Sequence, residues 1–160
     1  MRQNARFAVA AFLLLAAGLL PAATRGDFDS VVDFSVSLKT VAAAAAGGPA
    51  LPAGRLFVLD GTVSEVAVLD REPESFRARI ELLAGEWLGT EDVKSYACTI
   101  EFSGPAFARS FPSRPPQVAA PDTVLLGSRI LVVVRPAGVT TTRQGERRLV
   151  MEGLYIRAIQ

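Results

Sequence analysis

Between residues 74 and 93 a strand pattern runs into a cluster of glycines, and this narrows the choice of folds more than any other feature of the chain. Phe76, Ala78, Ile80 and Leu82 alternate with Arg77, Arg79, Glu81 and Leu83, the period-2 spacing of a strand with one buried and one solvated face. Gly85, Trp87 and Gly89 interrupt the pattern within five residues. A strand with one apolar face must bury it against other elements, and the chain from Arg55 onward supplies them. Leu56 and Val58 share one face of a first strand and Phe57 and Leu59 the other. That strand holds Gly61 and changes phase near Val63, Val66 and Val68, the marks of a bend or bulge. In a third strand Tyr96, Cys98, Ile100 and Phe102 alternate with Ser95, Ala97, Thr99 and Glu101.

The stretch around Pro105–Phe111 predicts a short helix, with proline in its first turn and Phe107 and Phe111 on one face. Residues 112–122 hold four prolines and form a loop. Residues 128–135 are apolar on both faces, as in a buried strand. A turn at 143–146 leads to a fifth strand, in which Leu149 and Met151 precede Gly153 and Leu154, Ile156 and Ala158 follow it. Five strands with a short helix between the third and fourth give an all-β, five-stranded OB-like barrel with one or two short helices. A small barrel closes only if its strands bend, and Gly61 and Gly153 supply bends in the first and last strands. Gly85 and Gly89 then turn the second strand into the third. Trp87 is expected to lie over the open end of the barrel as a plug on the core.

Residues 27–54 form an N-terminal segment and linker ahead of a barrel domain spanning 55–160. Val32, Phe34, Val36 and Leu38 fit a strand, while Val31, Phe34, Leu38, Val41 and Ala45 fit a helical stripe. The alanines at 42–46 tip the balance to a helix between a Ser30 cap and Gly47. Residues 47–54, GGPALPAG, read as a linker.

The first 26 residues read as a signal peptide. Arg2 and Arg6 precede a run of 14 residues, Phe7–Leu20, that Pro21 ends. A spanning helix needs about 20 apolar residues. The segment therefore implies an exported, periplasmic or extracellular protein that meets the membrane only transiently. Without Arg2, Arg6 and Arg25 the 17 basic residues become 14 against 16 acidic, so the mature chain sits near −2. Such a chain has no bulk attraction for nucleic acid.

The run FVLDGTVSEVAVLDREPESFRARIELLAGEWLG, residues 57–89, resembles the netrin-like, TIMP-like group of OB folds. Its bacterial exported members carry a hydrophobic strand with G-x-V, a turn, and a strand ending L-x-G-x-W-x-G. LLGSRILVVV, residues 125–134, resembles a later strand of the group, and together the matches cover about two-thirds of the mature chain. The resemblance implies an OB fold. In the animal inhibitors of the group an N-terminal Cys and several disulfides carry metalloprotease binding. This chain has one cysteine, Cys98, so that activity is not implied.

Chemistry is sparse. There is no histidine to activate Cys98, which alternates in phase with core residues and reads as a buried thiol. Asp27, Asp29 and Asp33 lack a calcium-loop pattern, and Glu72 and Glu74 flank a proline in a turn. FVLDGTV shares D-G-T with haloacid-dehalogenase-type phosphatases, but Val58 stands where the aspartate nucleophile belongs. No enzyme, metal or cofactor is expected. The outward face of the second and third strands would carry Arg77, Arg79, Glu81, Ser95, Ala97, Thr99 and Glu101, without an aromatic for base stacking. The chain therefore reads as a non-catalytic binding module for a protein or envelope component, with no nucleic acid expected. Its candidate contacts are Arg77, Arg79, Trp87 and, in the proline-rich loop, Arg114. The alternatives are a structural subunit of an exported assembly, an oligonucleotide-binding OB domain, and an enzyme of unrecognised type.

Overall fold

The computed structural model describes residues 30–89, 92–142 and 145–159. The export segment expected at 1–26 lies outside them, as do Arg143 and Gln144 of the expected turn. In chain order come β1 (Val32–Asp33), α1 (Leu38–Ala45), β2 (Leu56–Asp70), β3 (Arg77–Trp87), β4 (Val93–Ser103), a 3₁₀ turn (Pro105–Ser110), β5 (Arg129–Thr141) and β6 (Arg147–Ala158).

The ladder runs β1-β2-β3-β4-β6-β5 and closes through β2 and β5. β4 and β6 pair in parallel, with Ile100 opposite Met151; β2–β3, β3–β4, β5–β6 and β2–β5 are antiparallel. Five strands in this order, with the short helical turn between β4 and β5, form an OB barrel. The strand β1, outside the five expected, pairs with β2 only at Leu56 and Phe57.

Closure rests on β2 serving two partners. Its first half, Phe57–Thr62, pairs with β5 and its second half, Thr62–Asp70, with β3. Gly61 sits at the handover, where a Cβ would come 2.7 Å from the Leu83 carbonyl oxygen. The glycine is there because two backbones cross closely. The expected phase change is a register shift between Val63 and Glu65, a bulge that adds to the bend. In β6 the register slips beside Gly153, where Val133 faces Tyr155 and Val134 faces Gly153.

The inward residues form one core. Phe57, Leu59, Ile80, Leu82, Cys98, Ile100, Ile130, Val132 and Met151 are all at most 1 % exposed. One end of the barrel is closed by aromatics: Phe102 lies 5.1 Å from Phe107 and 5.5 Å from Phe111, and Phe76 lies 5.7 Å from Phe111. This is the packing expected of Phe107 and Phe111, although the helix that carries Phe107 is a 3₁₀ turn.

The other end is closed by α1, which buries Leu38, Val41 and Ala45. The helix is shorter than the stripe from Val31 suggested. Ser37, not Ser30, caps it, in a reciprocal arrangement with Thr40; Gly47 ends it as expected. Gly47, at φ +94, donates to Ala44 O and Gly48 to Ala43 O, a Schellman stop. Val36, Leu38 and Val41 belong to the same core as the barrel strands.

Candidate functional site

The outer surface of β3 and β4 is the face this topology leaves open. Cα pairing sets its rows as Arg77–Ser103, Arg79–Glu101, Glu81–Thr99, Leu83–Ala97, Gly85–Ser95 and Trp87–Val93. Alternation places all twelve side-chain positions outward, and none of these residues is buried.

Trp87 contradicts its expected role. It is 71 % exposed and plugs nothing. The reason lies in its neighbour and in α1. The period of β3 continues unbroken through Gly85, so Glu86 takes the inward phase and Trp87 the outward one. Glu86 accepts hydrogen bonds from Tyr96 Oη at 2.6 Å and from Lys39 Nζ of α1 at 2.9 Å. The Tyr96 hydroxyl first, then Lys39, hold the Glu86 carboxyl below its ordinary value. Lys94 Nζ sits 5.6 Å from the Tyr96 ring centre. These contacts tie the end of β3 to the helix that already fills the barrel end, and Trp87 is left facing solvent beside Val93 and Leu88, which are 50 % and 58 % exposed.

The face therefore has two halves. Near Trp87 it is uncharged, built from Leu83, Gly85, Val93, Ser95 and Ala97; a Cβ on Gly85 would come 3.2 Å from Val93 Cγ1. The opposite half is charged and mostly neutralised. Arg79 donates twice to Glu101 Oε1, at 2.6 and 3.0 Å. Arg148 reaches from β6 to Glu81, which also accepts from Ser64 at 2.9 Å. Arg148 thereby acts as a brace across β4. Arg77 is exposed at the far corner, near enough to Asp70 to help hold that carboxyl down, behind hydrogen bonds from Glu72 and Ser75. Arg114 is exposed in the loop before β5, outside this face. Of the four residues singled out in the sequence, Arg77, Arg79 and Trp87 thus share one surface. Trp87 was assigned to the wrong side because its flanking glycines were read as ending the strand.

No group of three or more His, Cys, Asp or Glu gathers as a metal site among the described residues. Cys98 is fully buried, and burial pushes its thiol up to about 12 from 9.0. The folded state holds this proton more tightly than the unfolded chain, so the contribution is whole below pH 9 and is lost as pH rises through about 12. Alkaline unfolding of the full chain should therefore show a fall in stability over this window that Cys98→Ala flattens; an unchanged slope would contradict the burial. In the native state Cys98 should not react with a thiol reagent at neutral pH.

No protein-family model matches the chain, and no curated protein does. Solved structures do. A single-stranded DNA-binding protein from Thermus aquaticus matches at 10 % identity and a TM-score of 0.41, over 66 % of this chain and 49 % of that one, so the match spans about half of the Thermus protein. A small single-stranded DNA-binding protein from Mycoplasma pneumoniae matches at 9 % identity and 0.37, over 66 % and 91 %. One from Streptomyces coelicolor matches at 14 % identity and 0.38, over 65 % and 91 %. The sequence-based reading of a module for a protein or envelope component, with no nucleic acid expected, is corrected at this point. It rested on a face without an aromatic, whereas the face carries Trp87 at 71 % exposure.

Proposed function

We propose that the chain is a non-catalytic domain that binds single-stranded nucleic acid across the outer face of β3 and β4. The observation that carries this reading is the exposed Trp87 ring at the end of an uncharged strip on the face OB barrels use for oligonucleotides. Small neighbours at Gly85, Ser95 and Ala97 leave room for a base to lie flat, and stacking accepts any base. Arg77 at the far corner is the cation for a phosphate, with Arg79 recruited only at the expense of its bond to Glu101. Because Arg79 and Arg148 already hold carboxylates, few phosphates are neutralised. Affinity then comes mainly from stacking, and the salt dependence is shallow.

Within the OB class the motifs Gly61-x-Val63 and Leu83-x-Gly85-x-Trp87-x-Gly89 favour a place beside the netrin-like group. Residues 1–26 favour export, so the nucleic acid would be met outside the cytoplasm; N-terminal sequencing of the secreted chain checks this.

Trp87 is the one tryptophan in the chain and reports its own occupancy. Titrating about ten nucleotides of oligothymidylate at low salt should quench its fluorescence to saturation. The slope of log affinity against log salt should lie near −1, the release of about one or two counterions. Trp87→Ala, followed by oligonucleotide anisotropy, should weaken binding about 10- to 100-fold, the usual worth of one stacked base. A chain that shows no saturable quench at low salt, or a Trp87→Ala variant that binds undiminished, defeats the proposal.

A further inference from the structure

We infer a second binding site, for a nucleotide, in the cleft between the 3₁₀ turn and β6. The cleft exists because β4 pairs with β6 only as far as Glu101 and Glu152; beyond that point β4 ends and the chain turns into Pro105–Ser110. The cavity has a volume of about 420 Å³, within the range of small-ligand pockets, ~300–1,000 Å³. Arg109 stands on the 3₁₀ side, Tyr155, Ile156 and Arg157 on the β6 side, with Pro121 and Asp122 from the loop before β5.

The cleft sets two cations against one carboxylate, and one cation is uncompensated. Asp122 accepts from Arg109 Nε and from Ser110 Oγ, each at 3.1 Å, which leaves both terminal nitrogens of Arg109 without a partner among the described residues. Arg157 is exposed and makes no ion pair or side-chain hydrogen bond among the described residues. A backbone donor joins them. Ile159 N donates to Arg129 O, so by alternation Tyr155 and Arg157 turn their backbone groups to β5, while Ile156 and Ala158 turn theirs to the cleft. Ala158 N donates to Pro121 O at 2.6 Å. The Ile156 N–H, on a residue only 4 % exposed, has no backbone partner among the described residues, and a buried donor calls for one. Beside these donors the Tyr155 ring is 49 % exposed. An arginine fork and an N–H suit a phosphate, and a free ring at their side suits a base. The site stands apart from the nucleic-acid face, because none of its lining residues lies on β3 or β4. A free mononucleotide and one nucleotide of a longer strand offer the same chemistry.

The test follows amide chemical shifts of the full chain with adenosine 5′-monophosphate, adenosine and inorganic phosphate as separate probes. The mononucleotide should bind saturably, move the amides of Arg109, Ile156 and Arg157, and bind more tightly than adenosine or phosphate alone. Arg157→Met should weaken it about tenfold, the usual effect of losing a charge-assisted bond. Tyr155→Leu should weaken it by about the same factor, the loss of one stacked base. Arg147→Met removes an equal charge from the exposed start of β6 and should change nothing; nor should Trp87→Ala. If the nucleotide belongs to a strand, oligothymidylate rather than the mononucleotide should move these amides and lose affinity in Arg157→Met. The inference fails if Arg157→Met weakens neither probe, if phosphate alone binds as tightly as the mononucleotide, or if Arg147→Met costs as much as Arg157→Met. The mononucleotide is also titrated into Trp87→Ala, so either site can fail without the other.

Discussion

Gly153→Ala is expected to destabilise the folded chain by about 3 kcal/mol, the upper part of the range for overpacking a tight core, and to lower its melting temperature by roughly 10 °C. The cause is local. A Cβ at 153 would stand 2.0 Å from Phe102 Cε1 and 2.4 Å from Cδ1, far inside van der Waals contact. The ring cannot simply swing aside, because Phe107 and Phe111 flank it and it is 1 % exposed. Nor can β6 retreat, since Met151 is opposite Ile100 and Gly153 opposite Val134. The methyl group should therefore break the aromatic plug or force β6 off its ladder. A double variant separates this contact from any general intolerance. Phe102→Leu alone should cost about 1 kcal/mol, and in the Gly153→Ala background it should restore part of the loss, giving a favourable coupling of about 1 kcal/mol or more. Additive effects would mean that glycine is needed at 153 for its backbone alone.

The second large effect concerns the opposite end. Val41→Asp should prevent stable folding, because Val41 is fully buried in the hydrophobic cluster of the barrel and a carboxylate there would lose its water. The expected loss exceeds about 4 kcal/mol, a large share of the stability of any domain of this size. Ala43→Asp, on the exposed side of the same helix, should cost about 0.5 kcal/mol, the difference in helix propensity. The contrast tests whether α1 is a structural plug or an appendage; both measurements are denaturant melts. Comparable small effects of the two substitutions would mean that the barrel stands without the helix.

Much of the barrel could be read from residue order, and the reasons are physical. Alternation in Phe76–Leu82 and Tyr96–Phe102 is enforced by burial of one face, so the inward set was correct residue by residue. Gly61 and Gly153 were legible as bends because nothing larger fits where strands cross. What could not be read depends on contacts distant in sequence. The two-residue β1 has no pattern of its own; it exists because β3 leaves one edge of β2 free at Leu56 and Phe57. The start of α1 is set by the Ser37–Thr40 cap rather than by the hydrophobic stripe.

The side taken by Trp87 was in principle legible. Counting by twos from Arg77 reaches Trp87 on the solvated face, and only the assumption that Gly85 ended the strand hid this. The barrel end it was expected to cover is occupied by α1, whose Lys39 reaches Glu86, a pairing between residues that nothing in their local sequence connects. One misplaced indole changed the partner class, because a face without an aromatic and a face ending in an exposed one suit different ligands.

The most direct measurement is amide chemical-shift mapping of the labelled chain during titration with oligothymidylate. Shifts concentrated at Gly85, Trp87, Val93, Ser95, Ala97 and Thr99, with the Trp87 indole N–H moving furthest, are the expected result. An absence of shifts at saturating oligonucleotide, or shifts confined to the 3₁₀ turn and the end of β6, would contradict the assignment of this face.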